Sequence, residues 1–154
     1  MPLSLRPMTR SEISAFLATS RDGYVAVRVA SGDDEPTAAR AADETIAASL
    51  PEGQPAAGQL LFRLEDDGRP VGSLWIGPAD SGQPESWWVW DITIDDEHRG
   101  QGYGKSAMLL AENEARAHGA TVLGLNVFGT NTVVRHLYES LGYQIVAIRM
   151  SKTL

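Results

Sequence analysis

The chain has 154 residues, no cysteine and a net charge of −7, from 20 acidic against 13 basic residues. This length predicts a single domain over residues 1–154 that can bury a substantial core. The lack of cysteine excludes a disulfide framework and a thiolate nucleophile. The acidic balance argues against nucleic acid and anionic membrane as partners. It suits an amine substrate, although acidity is also a common means of keeping a protein soluble.

Neither a metal site nor a targeting segment is predicted. His98, His118 and His136 show no paired ligand spacing, so we expect no metal. The first residues lack a hydrophobic stretch of signal length, and no apolar run is long enough to span a membrane. The expected location is the cytoplasm.

The N-terminal third predicts one strand and two helices. Alternating leucines indicate a strand over 3–7, and Thr9-Arg-Ser-Glu12 is a capping box that opens a helix. A second helix is predicted from Pro36 to Pro51. Tyr24 lies between these helices or continues the first one.

The remainder predicts strands and helices in alternation. A linker over 52–58 precedes two strands that a turn joins into a hairpin. The order β-α-α-β-β-β-α-β-α-β indicates a mixed α/β fold in which an antiparallel meander leads into a βαβ unit. After the linker, we expect strands over 59–65, 71–77 and 87–95, a helix ending before Gly119, a strand over 121–128, a helix over 132–141 and a final strand over 144–150.

The strand over 87–95 contains a conspicuous carboxylate, Asp91. A carboxylate in an apolar strand is costly to bury alone, so Asp91 is either paired or used. Period two predicts two faces for this strand, with Trp88, Trp90, Ile92 and Ile94 on one and Val89, Asp91 and Thr93 on the other.

A glycine-rich loop, Arg99-Gly-Gln-Gly-Tyr-Gly104, joins this strand to the next helix. Glycine permits positive φ and lets bare N–H groups approach a ligand closely. The positive end of the following helix points the same way, so the loop is predicted to bind phosphate or pyrophosphate.

Two glycine-containing nucleotide motifs differ from this loop in their spacing. A P-loop needs G-x-x-x-x-G-K-[ST], and Gly104-Lys105-Ser106 supplies only its second half because position 99 is arginine. A Rossmann motif needs G-x-G-x-x-G, whereas this run is G-x-G-x-G. A plain strand–helix connection can also contain three glycines for geometry alone.

A second motif favours one assignment of the loop. The R-x-x-G-x-G pattern after a strand resembles the acetyl-CoA pyrophosphate loop of GNAT-type N-acetyltransferases. The later pattern N-x-x-V-x-x-L-Y-E-x-x-G-Y resembles the other half of the GNAT core, and the resemblance covers residues 59–154 well. This second pattern is formed by Asn131, Val134, Leu137, Tyr138, Glu139, Gly142 and Tyr143.

The resemblance implies the GNAT acyl-CoA N-acyltransferase fold, with a mostly antiparallel central sheet and splayed parallel strands at the cofactor site. It also implies acetyl-CoA as the acyl donor and no metal. The residues that it places against the cofactor are Ile92, Thr93, Ile94, Arg99, Gly100, Gln101, Gly102, Tyr103, Gly104, Lys105 and Asn131.

The candidate catalytic residues are Tyr138, which the resemblance carries over from the second motif, and Asp91, which its position in the apolar strand singles out. A phenol with a pKa of about 10 can donate a proton to the departing thiolate of coenzyme A. The alternative for Tyr138 is an ordinary aromatic residue at core spacing. Asp91 is the candidate general base for the amine, with Glu85 and Glu44 as alternatives.

The acceptor site is expected to contain Tyr24, Glu44 and Asn126. Arg28 is a further candidate, and ordinary packing or a solvated surface is the alternative for the residues of the N-terminal third.

The expected function is acetyl-CoA-dependent N-acetyl transfer directly to a primary amine of a small molecule or peptide, and a homodimer is an open expectation because GNAT proteins often dimerise. The alternatives are a non-catalytic acyl-CoA-binding sensor or regulatory protein, and a dinucleotide or NTP enzyme.

Overall fold

A central sheet with helices on both faces forms the described part of the protein. The computed structural model describes residues 2–51, 55–80 and 82–154, and for Ser49 the backbone alone. Its elements are β1 (Leu3–Pro7), α1 (Arg10–Ala30), α2 (Glu35–Ser49), β2 (Leu60–Asp66), β3 (Arg69–Pro78), β4 (Ser86–Ile94), a 3-10 turn (Asp96–His98), α3 (Tyr103–Ala117), β5 (Val122–Leu125) and α4 (Thr132–Ser140). The predicted linker falls partly on residues 52–54, which lie outside the described residues.

The sheet has the strand order β1-β2-β3-β4-β5. The first four strands are antiparallel, and β4 and β5 are parallel, joined through α3. This is the mostly antiparallel mixed sheet that the sequence predicted, with one parallel pair at its end.

Each face of the sheet has its own core. On one face, small residues of α3 such as Ala107 and Ala111 are fully buried against Leu74 and Ile76 of β3. On the other face, α1 and α2 pack against a separate cluster that includes Trp75. The sheet therefore separates an α3/α4 layer from an α1/α2 layer.

A β-bulge in β4 corrects the predicted facing of this strand. Trp75 of β3 pairs with Asp91 and Ile76 pairs with Val89, so Trp90 is an extra residue without a partner in β3. Because a bulge shifts the alternation by one residue, Val89 lies on the same face as Ile92, in the α3/α4 core. Trp90 packs with the other cluster. The prediction that Trp88 and Trp90 share a face with Ile92 and Ile94 is wrong.

α1 begins at the predicted capping box and is longer than its apolar pattern suggested. The Thr9 side chain accepts a hydrogen bond from the Glu12 N–H, and the Glu12 carboxylate accepts one from the Thr9 N–H. Of the two alternatives for Tyr24, the structure shows the second, in which it continues the first helix. The helix thus brings Ser20 to Asp91 of β4.

The predicted final strand is wrong. Residues 144–150 form no strand, and Val146 and Ile148 are 96% and 73% exposed. Their apolar alternation indicates a preference for extended backbone, but a strand also needs an edge with which to pair. Instead, the chain continues beyond α4 without forming a strand, and the Arg149 guanidinium lies 3.9 Å from the Asp33 carboxylate in the α1–α2 connection. β5 is also shorter than predicted, because it ends at Leu125.

In the described ranges, none of the helices combines the length and the apolar character that crossing a bilayer would require.

Candidate active site

The parallel strands β4 and β5 separate halfway along β4, and this point is the parting of the two strands. Their last pair is Val89 and Leu125, whereas β4 continues to Ile94. The Asp95 N–H donates to the Val71 carbonyl of β3. Successive residues of a strand point their backbone N–H and C=O groups to opposite sides. The backbone groups of Thr93 therefore also face β3, whereas those of Ile92 and Ile94 face the gap that opens between β4 and β5. An extended molecule can therefore pair with Ile92 and Ile94 as an additional strand would.

The glycine-rich loop lies at the open end of this gap, between β4 and α3. Gly100 has φ of 75° and Gly102, the N-cap residue of α3, has φ of 85°. Both are left-handed conformations that favour glycine. Gly104 has a different role, because a Cβ there would lie 3.2 Å from Leu137 Cδ2 of α4. Two of the three glycines shape the loop and the third lets α4 approach α3.

The loop presents unpaired donors at the N-terminus of a fifteen-residue helix. Within the described ranges, the backbone N–H groups from Gly100 to Lys105, including those of Gln101 and Tyr103, have no hydrogen-bond acceptor. A Cβ added at Gly100 or Gly102 would meet nothing within 4 Å, so the space beside the loop is open. Free N–H groups and a positive helix end together suit a phosphate or pyrophosphate.

Two side chains hold the loop in this shape. Arg99 donates from Nε to the Ile94 carbonyl at 3.0 Å and forms an ion pair with Asp96 at 2.8 Å. Tyr103 donates to the Asp66 carboxylate at 2.5 Å, and this hydrogen bond raises the pKa of Tyr103. Lys105 is exposed and has no ion-pair partner in the parts of the chain that are described. Arg99 therefore fixes the loop, whereas Lys105 can reach a bound anion.

Asn131 is the N-cap of α4, and its side chain accepts a hydrogen bond from the Val134 N–H at 3.4 Å. This helix carries Tyr138, which is 7% exposed and lies in the α3/α4 core. Burial and the nearby charge of Asp91 raise the pKa of Tyr138 to about 12. The phenol consequently keeps its proton at neutral pH.

Asp91 projects to the α1 face of the sheet. Its Oδ2 accepts a hydrogen bond from the Ser20 hydroxyl of α1 at 2.5 Å, and its Oδ1 accepts one from Thr93 at 2.9 Å. No cationic side chain pairs with it in the described part of the protein. Asp91 is thus held by hydroxyl groups, and its negative charge remains available to a bound cation.

A pocket of about 220 Å³ lies on the α1/α2 face, directly beside the parting of the strands. Val89 and Asn126 flank that parting and contribute to its wall. The Trp90 Nε1 is buried and has no acceptor in the described ranges. The complete lining is Ser20, Arg21, Tyr24, Ala42, Thr45, Ile46, Trp75, Trp88, Val89, Trp90, Asn126 and Phe128.

The structure brings together some of the predicted acceptor residues and leaves others apart. Tyr24 and Asn126 line the pocket. Glu44 is exposed on α2 and is not part of the lining, whereas its neighbour Thr45 is. Glu85 is exposed and directly precedes β4. Of the three carboxylates considered as general base, Asp91 is the one that contacts a pocket residue, Ser20.

Sequence reasoning missed Ser20 and the aromatic character of the pocket. Ser20 is 71 positions from Asp91, and no local pattern marks a contact across that separation. The aromatic residues did carry a signal, because three of the four tryptophans, Trp75, Trp88 and Trp90, belong to adjacent strands and line one pocket.

The comparison with protein families identifies this arrangement. The model of the acetyltransferase (GNAT) family matches residues 23–143, from α1 to the end of the second motif. The chain belongs to the GNAT acetyltransferase family. This result confirms the resemblance drawn from the glycine-rich loop and the Asn131–Tyr143 motif.

Relatives of this GNAT protein span its whole length. The uncharacterised N-acetyltransferase YycN of Bacillus subtilis (strain 168) is 30% identical over 156 aligned positions, covering 100% of both chains. The uncharacterised N-acetyltransferase YdgE of the same strain is 26% identical, covering 100% of this chain and 99% of its own. The crystal structure of YycN has a TM-score of 0.89 and covers 99% of this chain and 98% of that chain.

A more distant structure shows the same fold. AAC(6')-Iy, solved with the bisubstrate analogue CoA-S-monomethyl-acetylneamine, has a TM-score of 0.61 at 13% identity and covers 100% of this chain and 99% of that chain. Together, the family match and the full-length relatives confirm the predicted fold and the prediction that this protein is an acetyltransferase. GNAT acetyltransferases use acetyl-CoA. In the described ranges, no group of three or more His, Cys, Asp or Glu side chains could hold a metal ion.

The electrostatic link between Asp91 and Tyr138 yields a direct prediction. Asp91→Asn removes a negative charge that favours the neutral phenol, so the pKa of Tyr138 should fall from about 12. NMR titration of the tyrosine rings measures this, since the chain has only four tyrosines. Glu139→Gln, which changes an exposed carboxylate of the same helix, is the control and should leave the Tyr138 pKa unchanged. An equal pKa in Asp91→Asn would show that the two groups do not interact.

Proposed function

We propose that this protein is an acetyl-CoA-dependent N-acetyltransferase that transfers the acetyl group directly to a primary amine of a small molecule or peptide. The observation that carries the proposal is the row of free N–H groups from Gly100 to Lys105 at the end of the open β4 edge. A cofactor with a diphosphate and an extended amide-containing arm matches both features. The family to which the chain belongs supports the same assignment.

The cofactor-binding residues divide by role. Backbone donors of residues 100–105 hold the diphosphate, with Lys105 adding positive charge. Backbone groups of Ile92 and Ile94 pair with the extended arm, whereas the Thr93 backbone faces β3 and its side chain contributes by donating a hydrogen bond to Asp91. Arg99 keeps the loop in place, and the Asn131 side chain, already the cap of α4, adds a hydrogen bond to the cofactor.

The acceptor must lose a proton before it attacks. An alkyl ammonium with a pKa near 10.4 costs about 4.6 kcal/mol to deprotonate at pH 7, and an α-amine with a pKa near 8 costs about 1.4 kcal/mol. Asp91, directly or through a water molecule, accepts this proton, because it is the carboxylate beside the pocket and has no cationic partner among the described residues. An alkyl amine therefore depends on Asp91 more than an α-amine does.

Acetyl-CoA supplies an activated thioester when bound. A backbone N–H near Ile94, on the open edge of β4, can stabilise negative charge on the acetyl oxygen. Tyr138 holds a proton on its hydroxyl up to high pH and can deliver it to the departing sulfur. Since both substrates are bound together, no covalent enzyme intermediate is needed, which agrees with the absence of cysteine.

The test is turnover of acetyl-CoA with a panel of primary amines, followed by release of free thiol. We expect amine-dependent thiol release. Tight binding of coenzyme A without turnover on any amine would favour the sensor, and thermal stabilisation by NAD or ATP beyond that given by coenzyme A would favour a nucleotide enzyme.

A homodimer stays a prediction, and sedimentation equilibrium decides it by comparing the mass in solution with the monomer mass of 16.6 kDa.

Gly102→Asp tests the anion-binding loop. A carboxylate at this position occupies the open space beside the free N–H groups and repels the diphosphate, so we expect the affinity for coenzyme A to fall at least about tenfold, measured by calorimetry. Gly119→Asp is the matched control, because Gly119 has φ of 88° and equally open surroundings at the other end of α3. Equal affinities in the two variants would exclude the loop as the diphosphate site.

Tyr138→Phe tests the proton donor. We expect kcat to fall about a hundredfold or more, with the affinity for coenzyme A nearly unchanged. Tyr143→Phe is the control, since its ring packs 5.9 Å from that of Tyr138 and its hydroxyl is also buried. In the native protein, kcat should not decline up to about pH 10, because the pKa of Tyr138 is about 12. An unaltered kcat in Tyr138→Phe would remove the phenol from the mechanism.

A further inference from the structure

We propose that the acceptor is a small primary amine that carries an aromatic ring on a short chain and has no carboxylate. This inference rests on the proposed N-acetyltransferase function and specifies its substrate class. Its basis is the pocket beside the parting of β4 and β5, whose walls, charge and size each restrict the acceptor.

Five of the twelve residues that line the pocket are aromatic. The Trp75 and Trp90 rings stack at a centroid distance of 5.7 Å, and Trp88 lies 6.3 Å from Trp90 at an angle of 56°. Tyr24 and Phe128 complete the aromatic lining. Aromatic pairs prefer such distances and offsets, and each stabilises a contact beyond what the buried area alone contributes. A ligand ring therefore gains more here than a saturated chain of equal size.

The rings are fixed before any ligand arrives. The Trp75 Nε1 donates to Gln59 at 2.9 Å, and Phe16 packs its edge against the Trp75 ring. Trp88 lies over Gly124 of β5, where an added Cβ would stand 2.5 Å from the Trp88 ring atom Cζ3. The absence of a side chain at Gly124 thus sets the position of the Trp88 ring. Binding surfaces that are already rigid lose little entropy when a ligand binds.

The charges of the pocket select an ammonium group and disfavour a carboxylate. Arg21, the cation of the lining, is held by Asp43 through two hydrogen bonds of 2.6 and 3.2 Å. Among the described residues, Asp91, behind Ser20, accepts hydrogen bonds from hydroxyl groups alone. A ligand carboxylate would therefore compete with Asp43 for Arg21, whereas a ligand ammonium is attracted both by the charge of Asp91 behind Ser20 and by the faces of the aromatic rings.

The volume limits the part of the acceptor that can enter the pocket. At about 220 Å³, the pocket is smaller than the roughly 300–1,000 Å³ that pockets for drug-sized ligands occupy. One ring with a short chain is compatible with that space, whereas a multi-ring saccharide is not. Of the acceptors left open by the sequence, we infer the small molecule, because a ring on a short chain is compatible as a whole with this volume.

A panel of amines tests the inference. We expect kcat/KM for 2-phenylethylamine and tryptamine to exceed, by at least about tenfold, the values for 2-cyclohexylethylamine, spermidine and a peptide with N-terminal alanine. The cyclohexyl compound has the same carbon skeleton without aromaticity. Equal or better use of it, of spermidine or of the peptide would overturn the inference while leaving the proposed function intact.

A binding measurement separates the two proposals. Titration of the protein with 2-phenylethylamine, followed by tryptophan fluorescence, needs no turnover. Saturable binding at least about tenfold tighter than that of 2-cyclohexylethylamine supports the aromatic pocket even if no amine is acetylated, in which case the proposed enzymatic function alone fails. Equal affinities overturn the aromatic preference whether or not turnover occurs.

Gly124→Ala tests the pocket within the protein. The new methyl group must displace the Trp88 ring, so we expect KM for 2-phenylethylamine to rise at least about fivefold while KM for acetyl-CoA stays constant. Gly23→Ala is the control, because a methyl group there meets open space. If Gly124→Ala does not fold, Trp88→Leu takes its place with the same expectation. An unchanged amine KM in the folded variant would overturn the role of Trp88 and with it the inference.

Discussion

The loss of pairing between two parallel strands is the constraint on which the rest of the structure depends. Up to Val89 and Leu125, β4 and β5 satisfy each other's backbone groups, and beyond that point β4 keeps its pairing with β3 but has an open side towards β5. An unsatisfied strand edge is a binding surface for an extended molecule. In this protein, the open edge of β4 lies between the free N–H groups of the glycine-rich loop and the aromatic pocket. Two ligands can therefore meet at this edge.

The bulge at Trp90 determines which residues meet there. Strict alternation would place Trp90 and Asp91 on opposite faces, but the extra residue brings both towards α1 and α2 while returning Ile92 and Ile94 to the opposite core. A bulge also bends the strand and increases its twist, and this one immediately follows the last pair between β4 and β5. The same irregularity thus accompanies the opening of the sheet and turns a carboxylate towards the pocket.

The sequence predicted those features whose cause is local. The capping box of α1, the glycines with positive φ and the start of α4 at Thr132 depend on residues a few positions apart. The facing of β4 could not be predicted, because a bulge depends on the register with β3 and leaves no mark in the strand itself. The Ser20–Asp91 contact depends on the position of α1 over the sheet. The strand expected over 144–150 has the right composition, yet no edge of the described sheet pairs with it.

The charge of Asp91 connects the two proton transfers of the proposed mechanism. While Asp91 is ionised, its charge helps to hold the pKa of Tyr138 near 12, and the phenol keeps its proton. Once Asp91 accepts the proton of the amine, that charge is lost and the phenol becomes a stronger acid. This change occurs when the amine has become a nucleophile, just before the sulfur needs a proton. In the proposed mechanism, a carboxylate on one face of the sheet and a buried phenol on the other therefore act in sequence across the gap, without a hydrogen bond between them.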